Sequence, residues 1–141
     1  VVLDLFSRRI VGWALMDTLA QDLVITAIRR AVAQRLPPPG LVFHSDRGSQ
    51  YASAAVRLIL TANNMLQSMS KKGDCYDNAV TESWFASFKT EAIPEEGIFT
   101  HAEAQTIVFE QIEAFYNTIR PHSTLGFISP VDFEKQTRLV A

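Results

Sequence analysis

Apolar residues first gather in two short runs, Val1-Val2-Leu3-Asp4-Leu5-Phe6 and Ile10-Val11-Gly12-Trp13-Ala14-Leu15, parted by Ser7-Arg8-Arg9. Two such runs around a polar break predict an antiparallel hairpin. Asp4 falls near the end of the first run, where a carboxylate accepts backbone N–H groups of the following turn. The first run begins inside its apolar pattern, without cap or polar lead-in, so the sequence reads as cut at its start.

The period then becomes helical. Thr18-Leu19-Ala20-Gln21 matches a capping box. Beyond it, Leu23, Val24, Ala27, Ile28, Ala31 and Val32 form an apolar stripe, with Arg29, Arg30 and Gln34 off it. Pro37-Pro38-Pro39-Gly40 stops this helix. Leu41-Val42-Phe43 suits a buried strand ending at Asp46, with His44 and Asp46 on one side of it. A sharp turn is expected at Arg47-Gly48-Ser49. A second helix over Ser53 to Ala62 follows, with Ala52, Val56, Ile59 and Leu60 inward and Asn63-Asn64 as a left-handed stop. Met65 to Ser70 reads as a strand, and Lys71 to Asp74 as a loop.

A third helix runs from Asp77-Asn78 toward Ala92, with Val80, Trp84 and Phe88 as its core stripe. Asn78, Glu82, Phe85 and Lys89 share a neighbouring face. Thr100-His101-Ala102-Glu103 is another capping box, opening a helix through about Asn117 with Ile107, Val108, Ile112 and Phe115 inward. The remainder, through Pro130, reads as an irregular tail packing back on the core.

Composition narrows the class. The chain has 141 residues, 48% of them hydrophobic, which suits one domain with a sizeable core. No apolar run approaches the roughly 18 residues of a membrane span, and the start lacks the order of a signal peptide, so a soluble, cytoplasmic protein is expected. Cys75 stands alone, which excludes an internal disulfide and a cysteine zinc cluster. A net charge of −2 excludes coating of nucleic acid by bulk attraction, so any DNA contact must be local. Basic pairs occur at Arg8-Arg9, Arg29-Arg30 and Lys71-Lys72.

Two carboxylates carry the candidate chemistry. Exchange of a phosphodiester is promoted by two divalent cations roughly 3.5–4 Å apart, and carboxylates hold Mg2+ or Mn2+. Asp46 at a strand end and Glu82 on a helix form such a site if the fold brings them together. Their 35-residue gap alone is weak evidence, and the surrounding words decide.

Those words are Val2-Leu3-Asp4-Leu5-Phe6-Ser7-Arg8-Arg9-Ile10-Val11-Gly12-Trp13, His44-Ser45-Asp46-Arg47-Gly48-Ser49-Gln50-Tyr51, Asp77-Asn78-Ala79 with Glu82-Ser83-Trp84-Phe85, and Tyr116-Asn117 with Arg120-Pro121-His122 and Leu125-Gly126. Together, and in order, they closely resemble the integrase-like DDE transposases of bacterial insertion sequences. The resemblance implies an α/β, ribonuclease-H-like integrase core related to retroviral integrase, a mixed sheet flanked by helices. Residues 1–141 would be one such core, with 1–95 its ribonuclease-H-like part and 96–141 a helix and tail packed on it. By the same likeness the core cuts and joins DNA at transposon ends, using a two-metal Mg2+ or Mn2+ site.

Asp46 and Glu82 then match catalytic metal ligands. Lys89 matches a lysine near the DNA end, Asn78 a supporting residue, and Lys71 and Lys72 are further DNA contacts. The implied partners are DNA and a second copy in a homodimer or higher assembly, in the bacterial cytoplasm at the nucleoid, with no membrane. The sequence departs from the pattern at one point: the family's first carboxylate lies on a strand upstream of the opening hairpin, and Asp4 matches the hairpin aspartate instead. That strand lies between the first hairpin strand and the Leu41 strand, so its absence leaves backbone groups unpaired. The 141 residues are therefore expected to be inactive alone.

An alternative is a non-catalytic remnant that binds DNA or assembles with a full-length copy. A ribonuclease acting on RNA hybrids shares the chemistry but does not account for the Tyr116 to Pro130 tail. His44 is expected to hydrogen-bond behind the ligands, His122 to be structural or to touch DNA, and His101 to lie on the surface.

Overall fold

The two opening runs pair. β1 (Val2–Leu3) and β2 (Ile10–Gly12) make a two-stranded sheet, and the Asp4 N–H reaches the Arg9 carbonyl at 2.8 Å. Asp4 Oδ1 accepts the Phe6 N–H at 2.9 Å and the Ser7 N–H at 3.4 Å, the turn role its position implied. The computed structural model describes residues 1–18, 20–71, 78–98 and 100–140. Internal contacts divide the chain into two compact units, Val1–Val2 with Val11–Glu82, and Leu3–Ile10 with Ser83–Ala141.

In the first unit, α1 (Gln21–Arg35) buries Val24, Ile25, Ala27, Ile28 and Ala31. The capping box expected at Thr18 does not form: Ala20 occupies the N-cap, without a side-chain bond. The helix begins at Gln21, three residues beyond Thr18, and Asp22 in its first turn complements the dipole instead. At the other end Leu36 turns left-handed, φ 47°, just before the proline run.

β3 (Val42–Ser45) and β4 (Leu66–Met69) pair in parallel, Val42 opposite Leu66 and Ser45 opposite Met69. Between them lies α2 (Ala54–Ala62), capped by Ser53 Oγ, which accepts the Val56 N–H at 3.3 Å. Asn64 takes the expected left-handed conformation, φ 56°. Val24, Ile25, Ile28, Val56 and Leu60 form the core, and Phe43, Tyr51, Ile59 and Met65 pack against it.

Two further expectations are corrected in this unit. Ala52 is exposed, because it precedes the helix cap and lies outside the helical period. The Leu41 strand is not buried, since Leu41 and Val42 are 45% and 56% exposed. A two-stranded sheet lays one face, through Phe43, on the helices and turns its alternate residues outward.

Gly12 is required where it stands. A Cβ there would lie 2.8 Å from Ala31 Cβ and 2.9 Å from Ala31 N, so only glycine lets the strand pass α1 this closely.

Glu82 ends the first unit, on α3 (Ala79–Glu91), and the second takes up the helix from Ser83. Trp84 is buried there, stacked on Phe88 at 5.1 Å and edge-on to Tyr116 at 6.4 Å. α4 (His101–Phe109) opens with the expected box: Thr100 Oγ1 accepts the Glu103 N–H, and the Glu103 carboxylate accepts the Thr100 N–H. The chain does not continue as one α-helix to Asn117. From Glu110 to Tyr116 it widens into π-helix, and Ile112, Tyr116 and Asn117 are all buried.

Asn117 closes the outer edge of β2. Its Oδ1 accepts the Ile10 N–H at 2.9 Å, and its Nδ2 donates to the Ile10 carbonyl at 3.0 Å. The stretch expected to be irregular contains a 3-10 turn (Ser123–Leu125), a bridge between His122 and Ile128, and then a helix, α5 (Pro130–Val140). Ser129 Oγ accepts the Asp132 N–H at 3.2 Å, and proline holds the first helical position, where its missing N–H costs nothing. α5 packs on the hairpin turn through the Arg9–Glu134 ion pair, 2.9 Å, and the Phe6–Phe133 edge contact.

Candidate metal and nucleic-acid site

Asp46 is the first residue past β3, exposed, where the chain leaves the sheet. Several bonds fix that strand end. The Ser45 carbonyl accepts the Ser70 N–H at 2.9 Å and the Ser70 hydroxyl at 3.3 Å, while Arg47 Nε donates to the Ser70 carbonyl at 2.6 Å. His44 is tied at both ring nitrogens, to Ser68 Oγ at 3.0 Å and Ser70 Oγ at 3.1 Å. Its place behind the strand end is therefore structural.

Asp46 Oδ1 accepts the Gly48 N–H at 2.7 Å, an Asx turn that reverses the chain as its sequence implied. The Gly48 carbonyl then accepts the Tyr51 N–H at 3.0 Å. Burial first, and the Asp46 charge second, push the Tyr51 phenol above its ordinary pKa. Tyr51 and Gln50, both half-buried, are neighbours of Asp46 that the sequence reading left out. The available signal was the Asp-x-Gly turn, which folds positions 50 and 51 back toward the carboxylate.

Glu82 is exposed in the first turn of α3, where the helix dipole favours a carboxylate. Asn78 lies half-buried directly before that helix, and Lys89 is exposed in its last turn. Seven residues separate Glu82 from Lys89, about two helical turns, so they share a face. Lys71 is exposed two residues beyond β4. Lys72, Cys75 and most of the loop from Ser70 to Asp77 lie outside the described residues.

Among the described residues, no three His, Cys, Asp or Glu side chains gather as a metal group. The donor chemistry nonetheless suits a hard divalent cation. Asp46 and Glu82 both offer exposed carboxylate oxygens, on the ends of a strand and a helix, as Mg2+ or Mn2+ prefers. Among the described residues no helix is long and apolar enough to cross a membrane.

In the second unit His122 sits edge-on to Tyr116, ring centroids 4.9 Å apart. Burial, then the Arg120 and Arg8 charges, hold its imidazole below the usual pKa. Arg120 pairs with Glu91, and His101 is exposed at the start of α4.

Known sequences resemble this chain along most of its length. The chain is 43% identical over 135 residues to the transposase for insertion sequence element IS904 of Lactococcus lactis subsp. lactis (strain IL1403), covering 96% of this chain and 53% of that protein. It is 41% identical over 136 residues to transposase InsF for insertion sequence IS3fB of Escherichia coli (strain K12), covering 96% and 47%. Transposase InsF for IS3A of the same strain is 40% identical with the same coverage. The chain spans about half the length of the curated relatives it matches. Residues 1–75 match an integrase core domain, and residues 63–130 match a second description of such a core. With more than half of its length inside the first match alone, the chain belongs to the integrase core domain family.

Proposed function

We propose that residues 1–141 are one catalytic core of a DDE transposase, which cleaves DNA at transposon ends and joins those ends to a target. The observation that carries this reading is the identity of about 40% to insertion-sequence transposases along 96% of the chain. In the complete core the sheet is of the mixed, ribonuclease-H-like kind flanked by helices. Asp46 and Glu82 are the metal ligands of this segment, and a further carboxylate from outside these residues joins them.

Bound Mg2+ or Mn2+ supplies charge neutralisation at phosphorus and activation of the attacking oxygen. The chain's own residues do the placing. The Asx turn at Asp46 aims one carboxylate from a clamped strand end, and the rigid α3 carries the other. On α3, Lys89 meets a DNA phosphate as a point charge, and Asn78, at the opposite end of the helix, hydrogen-bonds in support. Lys71 and Lys72 extend the contact. Such local cations fit a chain whose net charge is −2. The working form is a homodimer or higher assembly on DNA, in the cytoplasm at the nucleoid.

The test is metal-dependent cleavage and joining of transposon-end DNA by the full-length protein and its Glu82→Gln form. Glutamine keeps the shape and removes the charge. Loss of at least about 100-fold in rate is expected, on the scale of a lost charge-stabilising group. Undiminished activity refutes the assignment.

A further inference from the structure

Phe127 combines two unfavourable features that no contact in its own unit offsets. Its backbone is left-handed, φ 62°, directly after Gly126 at φ 76°. For a bulky side chain this is an outlier that persists only where the surroundings impose it. Its ring is also 75% exposed, and among the described residues it makes no contact with another ring. The turn needs left-handed backbone at this point, but it does not need phenylalanine. Glycine or asparagine would suit the backbone better, and a polar side chain would suit the solvent.

The loop that imposes this conformation is closed on itself. The His122 N–H reaches the Ile128 carbonyl at 3.1 Å, and the His122 carbonyl accepts the Leu125 N–H at 3.0 Å and the Phe127 N–H at 2.8 Å. Leu125 is buried, and the His122 ring lies edge-on to buried Tyr116. The loop is thus fixed from inside while the Phe127 ring faces water. Leu36 is another exposed apolar residue at positive φ, but it caps α1, where a single left-handed residue is the ordinary way a helix stops.

The charge around this loop is positive. The guanidinium charges of Arg120 and Arg8 both act on His122 and on Tyr116. Arg120 is paired with Glu91, whereas Arg8 makes no ion pair among the described residues. An exposed aromatic ring near an unpaired cation is a combination that holds single-stranded nucleic acid, the ring stacking a base and the cation meeting a phosphate. A base inside a duplex has both faces covered, so the ring calls for an unpaired one.

We propose that Phe127 is a stacking platform for an unpaired DNA base, with Arg8 meeting a neighbouring phosphate. This rests on the DNA-transposition reading given above and adds to it a contact in the second unit. A protein partner is the competing occupant, and the cationic surroundings favour a polyanion over it.

The test titrates the full-length protein into a single-stranded oligonucleotide carrying 2-aminopurine, whose fluorescence falls when the base stacks. Phe127→Gly is expected to weaken binding about 10-fold and remove the quench. Its melting temperature should be unchanged or raised, because glycine adopts positive φ without steric cost. Phe127→Trp should keep both affinity and quench. The loss in Phe127→Gly should persist as salt is raised, since stacking releases no counterions. A quench retained in Phe127→Gly, or a loss that vanishes at high salt, overturns the inference; transposon-end duplex still bound by the wild type leaves the DNA reading standing. Wild-type protein that binds neither the oligonucleotide nor that duplex overturns both. A lowered melting temperature in Phe127→Gly makes the ring structural and overturns the inference. A changed oligomeric state without DNA, with the quench intact, assigns the ring to a protein contact and overturns it too.

Discussion

Asn117→Leu tests how the edge of β2 is held. Leucine keeps the branching and heavy-atom count of asparagine but is bulkier, so both amide bonds disappear and overpacking adds to the loss. Ile10 and Asn117 are each 1% exposed, so water cannot simply replace them. The Ile10 N–H and carbonyl, now bonded at 2.9 and 3.0 Å, would be left buried and unpaired. Each such group costs about 1–3 kcal/mol, so the substitution should destabilise by about 2–6 kcal/mol. With a urea dependence of about 1–3 kcal/mol per molar, a mid-range loss moves the unfolding midpoint down by about 2 M. Asn117→Ala gives the internal control. It vacates a polar space roomy enough for a water that can bond both Ile10 groups, so alanine should cost less than leucine. A midpoint shift below about 0.3 M for leucine, or alanine costing more than leucine, refutes the reasoning.

Two further outcomes follow from single contacts. Gly12→Ala forces a methyl against the Ala27 carbonyl oxygen and to within 2.8 Å of Ala31 Cβ, and should cost about 3 kcal/mol or more as overpacking against backbone, read as a lowered melting temperature. If stability is unchanged, the strand does not pass α1 this closely. His122 has a folded pKa depressed below the ordinary imidazole value of about 6.5, so the unfolded state binds its proton first. Its contribution is complete above about pH 6.5 and is lost as pH falls below that value. Unfolding midpoints should therefore drop between pH 7.5 and 5, and His122→Gln should flatten that slope; an identical slope in the variant removes His122 as the cause.

Local chemistry was legible in the sequence, and long-range pairing was not. The Asp4 turn, the Thr100–Glu103 box, the Asn64 stop and the stripes of α1 and α2 depend on residues within a turn or two of each other, so their spacing suffices. Ser129-Pro130 with Asp132 was also a readable cap, yet beyond Pro130 only Val131 and Phe133 of α5 are half-buried apolar positions while Leu139 is exposed, so its stripe is faint. The π-helical stretch was not readable, because a one-residue change of hydrogen-bond register leaves the apolar pattern nearly intact. Nor was Asn117 as the partner of Ile10, across 107 positions of sequence. For the candidate site, spacing and wording singled out Asp46 and Glu82. Gln50 and Tyr51 gained a place beside Asp46 only once the turn was folded.

The same economy recurs at the strand end that carries Asp46. A two-stranded sheet offers few ladder bonds, so side chains take over the work of fixing its end. Ser45 and Ser70 are buried, at 5% and 4% exposure, and would be costly there unpaired. Each is bonded: Ser45 Oγ donates to the Asp46 carbonyl at 2.9 Å, and Ser70 Oγ donates to the Ser45 carbonyl. Arg47 then binds the Ser70 carbonyl, and His44 spans Ser68 and Ser70. The backbone on both sides of Asp46 is thereby anchored to β4 and the residue that follows it, while the Asp46 side chain stays exposed. A carboxylate that must present its oxygens to a cation gains from a fixed backbone, since less ordering remains to oppose binding. Serine and histidine beside the strand-end Asp46 are thus better explained as a clamp on its backbone than as candidate ligands themselves.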